Sequence, residues 1–153
     1  MRRKEKEPML IATGALLVLL GNLAWATGER VSCGGQAQGA ECWMEVANRP
    51  GCYIWNGHLM RNQTVTWTGE CAGSLAQGVG TLKWVWAKGK KTSEETGQLR
   101  TGRQHGRWVV RLADGTVAQG PFVEGKRHGR WVVQDANGNR REIAFNKGKR
   151  SSR

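Results

Sequence analysis

The chain has 153 residues, room for one domain with a core of ordinary size and little room for a second. Its 22 glycines and eight tryptophans suit a fold of many tight turns better than one of long helices, so mostly β structure is expected. The balance of 24 basic against 12 acidic residues, net +12, points to anionic partners or surfaces.

The first element is a targeting segment. "MRRKEKEP" is a basic opening, "MLIATGALLVLL" (Met9 to Leu20) is an unbroken apolar run, and "AWA" (Ala24 to Ala26) supplies small residues at a cleavage position. This is the tripartite form of a secretory signal over residues 1–26, and the apolar run is shorter than the ~20 residues of a bilayer span. Cleavage after Ala26 would deliver an exported protein, periplasmic or secreted; the alternative is an uncleaved inner-membrane anchor through residues 9–26. Cys33 follows "RVS", unlike the small and aliphatic residues that precede a lipoprotein cysteine.

Residues 27–51 read as a cysteine-containing N-terminal cap. The four cysteines, Cys33, Cys42, Cys52 and Cys71, all lie in the first half of the exported chain, and an even count in that compartment reads as two disulfides. Three connectivities are possible. "CYIWN" and "TVTWTGEC" look like two strands of one hairpin whose ends would meet, which favours Cys52 with Cys71 and leaves Cys33 with Cys42. The spacings contain no C-x2-C pair, so neither a zinc site nor a redox motif is expected.

Residues 52–150 read as a series of hairpins. "GRQHGRWVVRLADG" (Gly102 to Gly115) recurs 23 residues later as "GKRHGRWVVQDANG" (Gly125 to Gly138), with Gly106 matching Gly129. In each copy a β-branched strand follows "HGRW", a turn is expected at Asp114-Gly115 or Asn137-Gly138 as a two-residue loop, and a second strand returns. Alternation places Trp108 and Val110 on one face and Arg107, Val109 and Arg111 on the other, with Trp131 and Val133 repeating the first set. Tryptophan is expected to stack on tryptophan from hairpin to hairpin, with Trp67, Trp84, Trp108 and Trp131 as the stacking residues. "WTGECAGSLAQGVGTLKW" is an earlier copy at an offset of 28, Gly78 matching Gly106, with the extra residues in "AKGKKTSEET". Residues 151–153 are a basic tail. Because one hairpin cannot bury its apolar face, successive hairpins must share a sheet whose ends need caps.

In "WTGECAGSLAQGVGTLKW", Trp67 and Gly69 form an aromatic-x-Gly start and Gly78 and Gly80 a Gly-x-Gly end. This pattern resembles the MORN repeat family over about residues 52–150. The resemblance implies an all-β, single-layer antiparallel sheet of successive hairpins. It further implies membrane association, phospholipid binding or protein scaffolding, without catalysis by the repeats.

The charge is lopsided. Residues 27–96 hold 7 basic and 6 acidic side chains, whereas residues 97–153 hold 13 and 4. The candidate binding residues are therefore Arg103, Arg107, Lys126, Arg127, Arg130, Lys147 and Lys149, joined by Arg111 and Arg150; aligned along one edge they would form a positive ridge toward an anionic lipid or envelope surface. The alternative is a protein partner on the Trp and Val face or on a sheet edge. His105 and His128 recur as turn features, and Asp114 and Asp135 as turn acceptors. No nucleophile elbow, phosphate loop or His-Glu-x-x-His motif is present, so neither enzymatic activity nor a cofactor is expected. Export argues against nucleic acid as the partner.

Overall fold

A computed structural model describes residues 30–151; the targeting segment and its cleavage position lie outside them. Among the described residues there is no helix, and twelve strands join in one curled, mixed sheet. The N-terminal strands are β1 (Cys42–Glu45), β2 (Tyr53–Asn56), β3 (Thr64–Trp67) and β4 (Glu70–Ala72). The repeated half supplies β5 (Leu75–Trp86), β6 (Lys91–Arg100), β7 (Arg103–Leu112), β8 (Val117–Val123), β9 (Lys126–Arg127), β10 (Gly129–Gln134), β11 (Arg140–Asn146) and β12 (Lys149–Arg150).

Each long strand from β5 onward pairs antiparallel with its sequence neighbour, so the sheet grows in chain order. Among the described residues the exceptions to antiparallel pairing are two parallel contacts, Tyr53 opposite Leu75 and the isolated bridge between Ser32 and Trp43. Two turn types alternate along the two edges. On one edge the loops are two-residue turns, Thr101-Gly102, Glu124-Gly125 and Lys147-Gly148, with positive φ at both positions (46° and 74° in the first), which matches the right-handed twist of the strands. On the other edge the Asp-Gly and Asn-Gly turns are longer than expected. The Leu112 N–H donates to the Thr116 carbonyl across Ala113, Asp114 and Gly115, while the Thr116 N–H donates to the Asp114 side chain, and Asp135 and Asn139 flank Ala136 to Gly138 in the same way. These are three-residue loops, in which only the final glycine must adopt positive φ, 84° at Gly115 and 87° at Gly138.

The repeat is visible in backbone bonds. Gly102, Gly125 and Gly148 donate their N–H groups to the carbonyls of Ala76, Gln104 and Arg127, positions separated by the same 28- and 23-residue steps as the glycines of the sequence repeat. The "AKGKKTSEET" insert is chiefly strand: its first four residues turn the chain, and Lys91–Thr96 lengthen β6.

Trp67, Trp108 and Trp131 are fully buried on the inner face, whereas Arg107 and Arg111 point outward. Tryptophan does not stack on tryptophan. Equivalent strands are two apart, roughly 10 Å, beyond direct ring contact. Phe122 on the intervening strand fills the gap edge-to-face, 6.0 Å from Trp108 and 5.1 Å from Trp131, and Phe145 continues the series 6.2 Å beyond Trp131. Each indole instead lies on a glycine of the adjacent strand: Trp67 on Gly80, Trp108 on Gly97, Trp131 on Gly120, where a Cβ would come within 3 Å of ring atoms. Trp84 packs on the same face at 7% exposure.

Both expected disulfides form, Cys33–Cys42 and Cys52–Cys71, with Cα separations of 4.9 and 6.1 Å. The hairpin offered for the second does not. β2 pairs with β1, and β3 pairs with β5. Cys71 approaches Cys52 because β4 folds back on the start of β5, which also touches β2. The N-terminal strands thereby cover the free side of β5. They also reach along the turn edge: Trp43 closes over Gly102, and Trp55 closes over Gly125.

Candidate functional site

The seven basic residues separate into four groups. Arg103 and Lys126 belong to the junction with the cap. The Arg103 guanidinium lies 4.6 Å from the Trp55 ring and 5.4 Å from Trp43, and Lys126 pairs with Glu41 at 2.7 Å while facing Trp55 at 5.7 Å. Arg127 turns inward, its guanidinium 4.7 Å from Trp131 and 5.6 Å from Phe145. Register explains the split: Arg127 lies opposite the buried Phe122, whereas Lys126 lies opposite the exposed Val123 at the turn, from where it reaches Glu41.

Arg107 and Arg130 are exposed on the outer face, in equivalent repeat positions. Arg107 is registered opposite Pro121 and Arg130 opposite Ala144, and the two strands are separated by β8 alone, about 10 Å. Arg111 joins them, opposite Val117 and Glu94. Lys147, Lys149 and Arg150 are exposed on the terminal hairpin. Arg130 lies 3.5 Å from Glu142, whereas Arg107, Arg111, Lys147, Lys149 and Arg150 have no ion-pair partner among the described residues. The basic set is therefore an exposed outer row plus a terminal cluster, and not a single ridge of loops.

The concave side holds a second feature. The cap, the inner face of β6 to β8 and the last hairpin enclose a groove of about 690 Å³. Glu95 stands on its floor, half-buried, accepting hydrogen bonds from Gln104 Nε2 at 2.6 Å and Ser93 Oγ at 3.4 Å. Burial pushes the Glu95 carboxyl above the ordinary range, against the opposing pull of the Gln104 bond and the Arg127 charge. Burial also lowers the Arg127 guanidinium, with Glu95 acting in the opposite direction. Sequence reading missed Glu95 because "TSEET" looks like solvated charge. The signal was there in the alternation: Ser93, Glu95, Gly97 and Leu99 share one face, and Leu99 is fully buried.

The turn carboxylates behave as acceptors. Asp114 takes the Thr116 N–H at 2.9 Å, and Asp135 takes the N–H groups of Asn137 and Asn139 at 2.9 Å each. The Asp114 pKa is held low first by the Thr116 backbone bond, that of Asp135 first by the Asn139 side chain. His128 Nδ1 faces the Lys147 N–H at 3.4 Å, and the equivalent His105 Nδ1 is buried with no partner. Among the described residues no group of three or more His, Cys, Asp or Glu side chains is arranged to hold a metal ion.

No family model and no curated protein matches the chain. The geometry alone carries the functional reading.

Proposed function

We propose that this is an exported, non-enzymatic, MORN-like repeat protein that binds anionic surfaces of the cell envelope, phospholipid or lipopolysaccharide head groups, through its outer face. The observation that carries the reading is the exposed set Arg107, Arg111 and Arg130 with Lys147, Lys149 and Arg150, most of it free of ion pairs among the described residues. Cations engaged with a neighbouring carboxylate have little left to offer a surface; these remain available. The two disulfides favour an oxidising compartment, consistent with export. The rival surface, the Trp and Val face, is occupied internally: Trp108, Trp131 and Val110 are at most 2% exposed.

The test is co-sedimentation of oxidised residues 27–153 with anionic and neutral vesicles across a salt series. Binding is expected to require anionic lipid, to fall steeply with salt, and to weaken when Arg107, Arg111 and Arg130 are changed together to Glu, each cation contributing about 1 kcal/mol near an anionic membrane. Absence of binding at low salt sinks the proposal.

A further inference from the structure

The concave groove is a site in its own right, on the opposite side of the sheet from Arg107, Arg111 and Arg130, and it shares Lys147 and Lys149 with the surface-binding set. Its walls are apolar, with Trp86 and Phe145 offering partly exposed rings beside the buried Trp84 and Phe122, and its floor is polar, with Ser93, Glu95, Gln104 and Arg127 converging from β6, β7 and β9. Lys147 and Lys149 also line it, and the N-terminal strands supply Asn56, from β2, and Gln63, just before β3.

This lining discriminates between ligand classes. An acyl chain laid in the groove would strip water from Glu95, Gln104 and Arg127 and return no hydrogen bond, which disfavours it. A peptide strand gains its affinity from backbone pairing at a sheet edge, but here the floor is a sheet face whose ladder bonds are already made. A saccharide satisfies both parts of the lining, with C–H faces against the rings and hydroxyls among carboxylate, amide, hydroxyl and guanidinium groups. Charge selects further. Lys126 is matched by Glu41, which leaves Arg127, Lys147 and Lys149 against the one carboxylate Glu95, itself biased by burial toward its neutral form.

We infer that the groove binds an acidic oligosaccharide, its carboxylates toward Arg127, Lys147 and Lys149 and its hydroxyls toward Glu95 and Gln104. The experiment is a titration of the full-length, disulfide-bonded chain, followed by tryptophan emission and calorimetry. The probes are galacturonate oligomers, neutral galactose oligomers of equal length, polyaspartate, and laurate. Saturable binding of the galacturonate oligomer is expected, about tenfold or more tighter than the neutral one, as charge-assisted hydrogen bonds require. Trp86→Ala and the double change Lys147→Glu, Lys149→Glu should each weaken it by a similar factor. Arg107→Glu with Arg111→Glu and Arg130→Glu should leave it unchanged while weakening vesicle binding, so the two readings fail separately. No saturable signal overturns the proposal. So does equal binding of polyaspartate, which would mean charge alone, equal binding of the neutral oligomer, or preference for laurate.

Discussion

A methyl group added at Gly97 and one added at Gly106 would be refused for different reasons. At Gly97 the Cβ would come within 3 Å of Trp108 Cγ and Cε2, ring atoms that cannot swing aside without moving the buried indole, so Gly97→Ala should cost about 1–3 kcal/mol as overpacking. At Gly106 there is open space, but φ is 69°, where a side chain costs roughly 1–2 kcal/mol. Asn tolerates that conformation, so Gly106→Asn should recover stability relative to Gly106→Ala, whereas Gly97→Asn should be worse than Gly97→Ala; urea midpoints check both. Glu95 makes a pH prediction. Its folded pKa is raised, so the folded state holds the proton more tightly than the unfolded one, and stability is fully present below about pH 4.3 and declines as pH rises through the folded value. The melting-temperature difference of Glu95→Gln over the parent should therefore grow between pH 4 and pH 7.

At the scale of elements, turns and disulfides carry most of the local information, and both were partly legible. Asp114-Gly115 and Asn137-Gly138 marked reversals correctly, yet the loop length depends on which backbone groups close the turn, the Leu112 N–H on the Thr116 carbonyl in the first case, and dipeptide chemistry does not specify that. The carboxylates in these turns have depressed pKa values, so their contribution is present above about pH 3.9 and is lost as pH falls through the folded values; NMR titration of Asp114 and Asp135 should place both below free aspartate. The Cys52–Cys71 bridge spans 19 residues and the Cys33–Cys42 bridge 9. Replacing the first pair with serines should cost on the order of 3 kcal/mol and the second somewhat less, measured by denaturant unfolding. The Cys52–Cys71 pairing followed from the sequence, but for a hairpin that does not exist: β2 and β3 have different partners, and the bridge closes through β4 and β5.

At the scale of the molecule, stability is shared between a repetitive sheet and a cap that covers one side of β5 and part of the turn edge. Trp43 and Trp55 lie over turn glycines, with Arg103 against both rings. Reducing both disulfides should loosen this junction first, so tryptophan emission should shift to the red at lower denaturant than the loss of strand signal in circular dichroism. By itself the sequence determined what depends on neighbours along the chain: β structure, the 23-residue repeat, the alternation that buries Trp108 and Trp131, and the excess of positive charge in the second half. These are properties of period and composition, and each repeat carries its own copy. The tertiary structure decided what depends on residues far apart in sequence. Phe122 rather than a second tryptophan meets each indole, because equivalent strands lie two apart. Arg103 and Lys126 are drawn to the cap and Arg127 to the interior, because the sheet curls until Glu41 reaches Lys126 across 85 positions of sequence. The groove around Glu95 exists only because that curl brings cap, floor and last hairpin together.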